Sequence, residues 1–179
     1  MAEAVLVRRS NGRQHVRGRA VLASGAIALG LVALGSSGRR APLLIYNASA
    51  SAPLGFYRVF PARPLARGDL VLARAPKTPR RLAAERGYLP AGVALVKRIA
   101  ALSGERICAI GRAVTIDGIA VATRLPVDRA GRPLPAWGGC RTLGPDEVFL
   151  LMADVPDSFD SRYFGPVSTE SVIGRLVPL

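Results

Sequence analysis

An uncharged run near the amino terminus divides this chain into unequal parts. Residues 20–35 are Ala, Leu, Val, Ile, Gly and one Ser, and Ser36, Ser37 and Gly38 extend the run to 19 residues without a charge. A bilayer span takes about 20 mostly apolar residues, so the run sits at the lower limit for a transmembrane helix. A cleaved signal peptide is a second reading, because Ala33-Leu34-Gly35 has the form of a small-x-small cleavage site. A buried core helix is a third, disfavoured in water by Gly25, Gly30 and Gly35, which lipid tolerates. We read the run as an anchor. Arg8, Arg9, Arg13, Arg17 and Arg19 precede it, and the positive-inside rule keeps such a tail in the cytoplasm. Arg39 and Arg40 on the far side blunt that asymmetry without reversing it. The expected organisation is a basic tail over 1–19, an anchor over 20–38, and one domain over 39–179 outside the cytoplasm.

Charge and residue usage narrow the chemistry. The net charge of +13 suggests nucleic acid as a partner, yet much of it is local. The first 40 residues hold seven Arg and one acid, so the remainder, with 18 basic and 11 acidic residues, carries +7. Almost all the basic residues are Arg, which keeps its proton in a protein; only Lys77 and Lys97 can supply a neutral amine. The single histidine, His15, lies in the basic tail. A Ser-His-Asp triad or a His-ligated metal would have to borrow it across the apolar run. Cys108 and Cys140 lack metal-type spacing.

Beyond residue 40 the chain reads as mainly β. Residues 41–46 suit a short strand or stem. Strands are expected over 69–73, 93–101, 106–110, 113–116, 147–152 and 171–177, and Asp117-Gly118 predicts a tight hairpin into 119–121. Residues 78–87 form the one helical segment after the apolar run, with Thr78 as cap, Pro79 in the first turn and Gly87 as the stop. Residues 124–139 hold Pro126, Pro133, Pro135, Gly131, Gly138 and Gly139 and predict an irregular excursion.

Three stretches carry candidate chemistry. In Ser49-Ala50-Ser51-Ala52-Pro53 the neighbours are small, so a substrate backbone can approach Ser51 closely. If the stretch is extended, Ser49 points to the same side as Ser51. Ser49 and the Ser51 N–H would then be two donors for an oxyanion. On composition alone the same stretch is a plain turn. Lys97 lies among Leu95, Val96 and Ile99. Burial there disfavours the charged amine and makes a general base of it; a solvated lysine on the polar side of a strand is the alternative. Asp154, Asp157 and Asp160 crowd one loop. Ser158 or Asp160 could orient the lysine and Arg162 could pair with Asp160, or the loop is ordinary polar surface.

These stretches, in this order, resemble the type I signal peptidases, the serine/lysine class. Ser49-Ala50-Ser51-Ala52-Pro53 is similar to the nucleophile box. Lys97-Arg98-Ile99-Ala100-Ala101-Leu102-Ser103-Gly104-Glu105 is similar to the lysine box, which usually ends Pro-Gly-Asp. Asp157-Ser158-Phe159-Asp160-Ser161-Arg162 is similar to the Asp-Ser-Arg box. The longer pattern of Asn47, Ser49, Ser51, Pro53, Gly55, Phe56 and Tyr57 resembles the TraF-type conjugative-transfer peptidases.

The resemblance implies a mainly β fold of the LexA/signal peptidase kind with one N-terminal transmembrane helix. It also implies a nucleophile at Ser51, a neutral base at Lys97, an oxyanion donor at Ser49, and support from Asp160, Ser158 and Arg162. The expected activity is endoproteolytic cleavage of membrane-bound precursors after small residues, at the periplasmic face of the inner membrane. A conjugative pilin precursor is the expected substrate, released in linear or cyclised form. The lipid bilayer is the other partner, and no nucleic acid, cofactor or metal is required. In an oxidising compartment Cys108 and Cys140 are expected to pair, with free buried thiols as the alternative. Ala153-Asp154-Val155 departs from the usual Gly-Asp-Asn, with one residue fewer before Asp-Ser-Arg, which leaves Asp154 without a clear role. A basic, non-enzymatic, membrane-tethered component of a DNA-transfer apparatus is the competing reading. A LexA-like autocleaving regulator is disfavoured by the apolar run and by the absence of a DNA-binding helical domain.

Overall fold

The computed structural model describes residues 43–179. The expected tail and anchor lie outside the described residues. Among the described residues no helix is long and apolar enough to cross a membrane. Every described residue belongs to one compact unit, Ala41–Leu179.

That unit is mainly β, with eleven strands and two short helices. In chain order they are β1 (Leu44–Asn47), β2 (Gly55–Phe60), β3 (Leu70–Ala73), α1 (Lys77–Glu85), β4 (Leu95–Ala101), β5 (Arg106–Ile110) and β6 (Ala113–Ile116). Then come β7 (Ile119–Thr123), β8 (Gly139–Thr142), β9 (Glu147–Leu151), α2 (Ser161–Phe164), β10 (Val167–Ser168), a 3-10 turn over Thr169–Ser171, and β11 (Val172–Pro178). They build a seven-stranded sheet in the order β1-β2-β11-β3-β4-β9-β10 and a four-stranded sheet in the order β7-β6-β5-β8. Neighbouring strands run antiparallel throughout.

The centre of the large sheet is buried on both faces, which explains its unbroken apolar strands. Along β3, Leu70 and Leu72 enter one cluster with Tyr57, Val59 and Val96, while Val71 and Ala73 enter another with Ile99, Val148 and Leu150. Phe149 and Leu151 of β9 face the other way and join Ile107, Val114 and Ile116 of the small sheet. β9 therefore links the two sheets, and truncating Leu150, which is fully buried, would cost about 2–5 kcal/mol. β11 crosses β2 so closely that a Cβ at Gly174 would lie 2.5 Å from Val59 Cγ1 and 2.6 Å from the Phe60 carbonyl. No larger residue fits there without displacing β2.

The Asp117-Gly118 hairpin forms as its composition requires. Both residues take positive φ, 48° and 81°, and Ile116 pairs with Ile119. The helix at 78–87 differs in its start. Pro76 occupies the N-cap, no side chain caps the helix, and Thr78 sits inside the first turn. Pro76 sets the chain direction with its ring, so the threonine has no cap position to fill. Three strands escape the sequence pattern, one of them the two-residue β10. β2 continues directly from the serine stretch, and β8 is exposed at all four positions and has no apolar alternation. Cys108 and Cys140, directly opposite each other on β5 and β8, are joined by a disulfide.

Candidate active site

Asn47, at the end of β1, organises the serine stretch. It is buried, and its Nδ2 donates to the carbonyls of Ser49, Ala52 and Pro53 at 3.0, 3.1 and 3.0 Å, while its Oδ1 accepts from Ser49 N at 3.1 Å. Tyr57 Oη donates to the Pro53 carbonyl at 2.7 Å. Together they fold residues 49–52 into a turn, closed by Ala52 N donating to the Ser49 carbonyl. The stretch is thus a turn, as its composition alone suggests, and not the extended segment that would put Ser49 on the same side as Ser51 by alternation, because one asparagine collects three carbonyls that an extended chain would hold apart. The hydroxyls meet all the same. Ser49 Oγ lies 2.9 Å from Ser51 Oγ, and Ser51 N donates to Ser49 Oγ at 3.3 Å. The two groups expected to face an oxyanion are here bonded to each other at one spot.

β4 brings the lysine to this turn. Alternation puts Lys97 on the same face of β4 as Leu95 and Ile99, opposite Val71 of β3. It is only 2% exposed, and its Nζ donates to Ser51 Oγ at 2.8 Å. Burial lowers its pKa from 10.5 to about 8, with the Asp160 carboxylate pulling it back up and the Arg162 guanidinium pushing it further down. A substantial neutral fraction is therefore available near neutral pH. A neutral amine at this distance accepts the Ser51 hydroxyl proton along the same line on which the ammonium donates. Lys77, the other lysine, is exposed at the start of α1.

A buried ion pair forms the third corner. Asp160 and Arg162 are 0% and 1% exposed and meet through two bonds, Nε to Oδ1 at 2.8 Å and Nη2 to Oδ2 at 3.0 Å. Asp160 also accepts from Met152 N at 3.0 Å and, as the cap of α2, from Arg162 N at 3.2 Å. Arg162 further donates to the carbonyls of Pro156 and Met152 at 2.9 and 2.6 Å. The 152–162 loop is thus tied to the end of β9 through its own charges. Ser161 Oγ accepts from Leu150 N at 3.0 Å, and the Ser161 carbonyl accepts from Trp137 Nε1 at 2.9 Å. Ser158 is 3% exposed, and its hydroxyl has no partner among the described residues. Asp154 is exposed and lines a separate hollow with Arg67 and Asp117, away from the serines.

A cleft of about 410 Å³ opens over Ser49, Ser51, Lys97 and Ser158. Its apolar walls include Leu89, Leu95, Leu125, Leu134, Val155 and Phe159. Its far rim is polar and was not visible as a site in the sequence. Asp128 accepts from Tyr88 Oη at 2.5 Å and from Arg132 Nε at 2.7 Å, with Arg86 alongside at 3.9 Å. Burial would raise the Asp128 carboxyl, but the bonds from Tyr88, Arg132 and Ala130 hold it well below the usual carboxylate range. The only sequence signal was an Asp followed by Gly131 and Arg132, an Asx-turn composition; the Tyr88 partner lies 40 residues away. Among the described residues no group of three His, Cys, Asp or Glu is placed to hold a metal ion.

Comparison with known proteins adds to this geometry. The sequence profile of the family described as "Signal peptidase, peptidase S26" matches residues 18–179. The probable conjugal transfer protein TraF of Sinorhizobium fredii is 36% identical over 138 residues, covering 72% of this chain and 72% of that protein. A plasmid transfer protein TraF of Escherichia coli is 34% identical over 163 residues, covering 84% of this chain and 90% of its own length. The crystal structure of a signal peptidase I from Enterococcus faecalis V583 aligns with 64% of this chain and 98% of its own at 22% identity. Its TM-score is 0.39, too low to carry an argument.

Proposed function

Because the chain belongs to the signal peptidase family S26, among its TraF-type members, we propose that it is a membrane-anchored endopeptidase that uses a Ser51–Lys97 dyad to mature a precursor in conjugative transfer. The observation that carries the reading is the buried Lys97 amine 2.8 Å from the Ser51 hydroxyl. Neutral Lys97 takes the Ser51 proton as Oγ attacks the scissile carbonyl. The carbonyl oxygen gains the negative charge and is met by Ser49 O–H and Ser51 N–H, which the Asn47-clamped turn presents together. The tetrahedral carbon then expels the amine, which takes the proton from the Lys97 ammonium. An ester on Ser51 is left. Water, or the precursor's own amino terminus, attacks that ester with Lys97 again as base, giving a linear or a cyclic product.

Asp160 and Arg162 hold the loop that closes the lysine's pocket. The unpartnered Ser158 hydroxyl in the same cleft is the candidate for orienting the amine during the proton transfers.

The membrane reading draws on two features. One is the apolar run at 20–38. The other is a set of exposed apolar side chains on β1, β2, β11 and the β1–β2 connection around the serine turn, namely Leu44, Tyr46, Leu54, Phe56 and Val177. Such a patch beside the nucleophile suits a bilayer surface, where an exported precursor presents its scissile bond. The pilin substrate and the periplasmic location belong to the same proposal. Mass spectrometry of candidate pilins from wild-type and Ser51→Ala cells tests it. Mature pilin, linear or cyclic, should vanish in the variant. Unchanged processing would refute the enzyme reading, and salt-dependent DNA binding without acylation of Ser51 would favour the tethered DNA-transfer component instead.

A further inference from the structure

The far wall of the cleft is an irregular excursion, and a small number of contacts fasten it. At its foot Arg124, buried, donates to the carbonyls of Trp137 and Gly111, and Leu125 N donates to Tyr163 Oη at 3.2 Å. Toward its tip the chain doubles back, with Val127 bridged to Pro133 and Leu134 N donating to the Pro126 carbonyl at 3.0 Å. Leu125 and Leu134 thereby reach the cleft.

Asp128 performs two separate jobs in this wall. Its Oδ1 closes the turn locally, accepting from Ala130 N and Arg132 N, both at 2.9 Å. Its Oδ2 reaches off the excursion to Tyr88, in the connection between α1 and β4. The same oxygen accepts from Arg132 Nε, and Arg132 in turn donates to the Arg86 carbonyl at 3.2 Å and lies over the Tyr88 ring. Arg86 answers by donating to the Pro133 carbonyl at 2.8 Å. The Tyr88 ring packs on Phe159, a cleft residue, at 5.3 Å between centroids. The Asp128 carboxylate, with the Arg132–Arg86 and Arg86–Pro133 bonds beside it, thus joins two segments that no strand pairing connects.

We propose that the Asp128–Tyr88 contact is a latch that fixes the far wall of the cleft and so sets which precursors bind, acting on substrate affinity and leaving the Ser51–Lys97 chemistry alone. Both are positioning residues. The proposal rests on the peptidase reading above.

Asp128→Asn separates the two jobs. An amide oxygen still closes the local turn, while the NH2 in the place of Oδ2 loses the charge-assisted bonds from Tyr88 and Arg132 and keeps at most a weaker neutral bond to the Tyr88 oxygen. Tyr88→Phe removes only the hydroxyl and keeps the ring contacts. Full-length protein in detergent micelles is given a fluorogenic peptide long enough to span the cleft, with Ala-x-Ala before the scissile bond. Ser51 labelling by a small serine-reactive acylating inhibitor is timed in parallel. Each variant should raise KM about tenfold with kcat within about twofold, as the loss of a contact made equally in the ground and transition states requires. Labelling of Ser51 should proceed at the wild-type rate. The double variant should be little worse than Asp128→Asn alone, because Tyr88→Phe removes only a bond whose charge-assisted form Asp128→Asn has already lost. Unchanged KM in both single variants would overturn the latch, as would additive effects or labelling that slows in step with cleavage. If wild-type protein neither cuts the peptide nor labels, the peptidase reading fails and the latch falls with it. If it labels and cuts but the variants match it, the latch alone fails.

Discussion

Two Asp–Arg clusters support the cleft, one beneath its floor and one in its rim, and they are alike in composition but differ in what surrounds them. At the floor, Asp160 and Arg162 are sealed from water and bond only to each other and to backbone. At the rim, Arg132 beside Asp128 is 42% exposed, and the carboxylate is shared with a tyrosine from another segment. The floor pair lies where charge is felt over distance, so it biases the Lys97 amine: Asp160 raises its pKa and Arg162 lowers it. In the rim cluster the Asp128 side chain is 7% exposed but its arginine partners reach solvent, which screens their charge, so the value of the cluster is geometric. One cluster governs a protonation state and the other a shape.

The comparison is broken most severely at the dyad itself. Lys97→Arg keeps the charge and removes the base, and with Ser51→Ala it should lower kcat/KM for a cleavable peptide by at least about a thousandfold while the circular dichroism spectrum stays native. Next comes the floor. Asp160→Asn leaves the buried Arg162 uncompensated and should cost about 3–5 kcal/mol in denaturant unfolding. Protein that remains folded should show its activity–pH profile moved to lower pH, because Asp160 no longer supports the ammonium.

Lys97→Met should act in the opposite direction on stability. The folded-state pKa of about 8 lies below the ordinary 10.5, so the unfolded chain binds more protons between those values. Wild-type stability is therefore penalised in full below about pH 8 and recovers as pH rises toward 10.5. Replacing the amine by an apolar group should stabilise the protein by up to about 3 kcal/mol at pH 6–7 and progressively less above pH 8, read from chemical denaturation across pH. A variant no more stable than wild type at pH 7 would mean that Lys97 is hydrated. The rim variants should be milder, with Asp128→Asn lowering stability by less than Asp160→Asn does in the same denaturation experiment. Smallest of all is Arg129→Ala, which removes an exposed ion pair to Asp157 and should change stability by less than about 0.5 kcal/mol.

How much of this the sequence disclosed depends on the range of the contacts. Ser51, Lys97 and Asp160 stood out because each sits in a local pattern: small neighbours, an apolar strand, and a crowded acidic loop. The strands at 69–73, 93–101 and 147–152 announced themselves through burial on both faces. β8 did not, since Gly139–Thr142 is exposed and belongs to the small sheet through pairing with β5 across the disulfide. β2 was hidden by its adjacency to the serine stretch, although Tyr57 and Val59 alternate inward as a half-buried strand should. The Asn47 clamp and the Asp128 latch were illegible for different reasons. The first shapes the serine turn through three carbonyl contacts, and carbonyls have no signature in side-chain order. The second joins residues 40 positions apart, and nothing in either neighbourhood anticipates the other.

The most direct test of the account is the pH dependence of Ser51 acylation by a small serine-reactive inhibitor, followed by intact-protein mass spectrometry on the full chain. The account predicts one covalent adduct on Ser51, formed at a rate that rises with pH through a single ionisation near 8 and then levels off, and no adduct in Lys97→Arg. Labelling that persists in Lys97→Arg, or a rate that climbs without levelling to the ordinary lysine range, would contradict the assignment of Lys97 as the base.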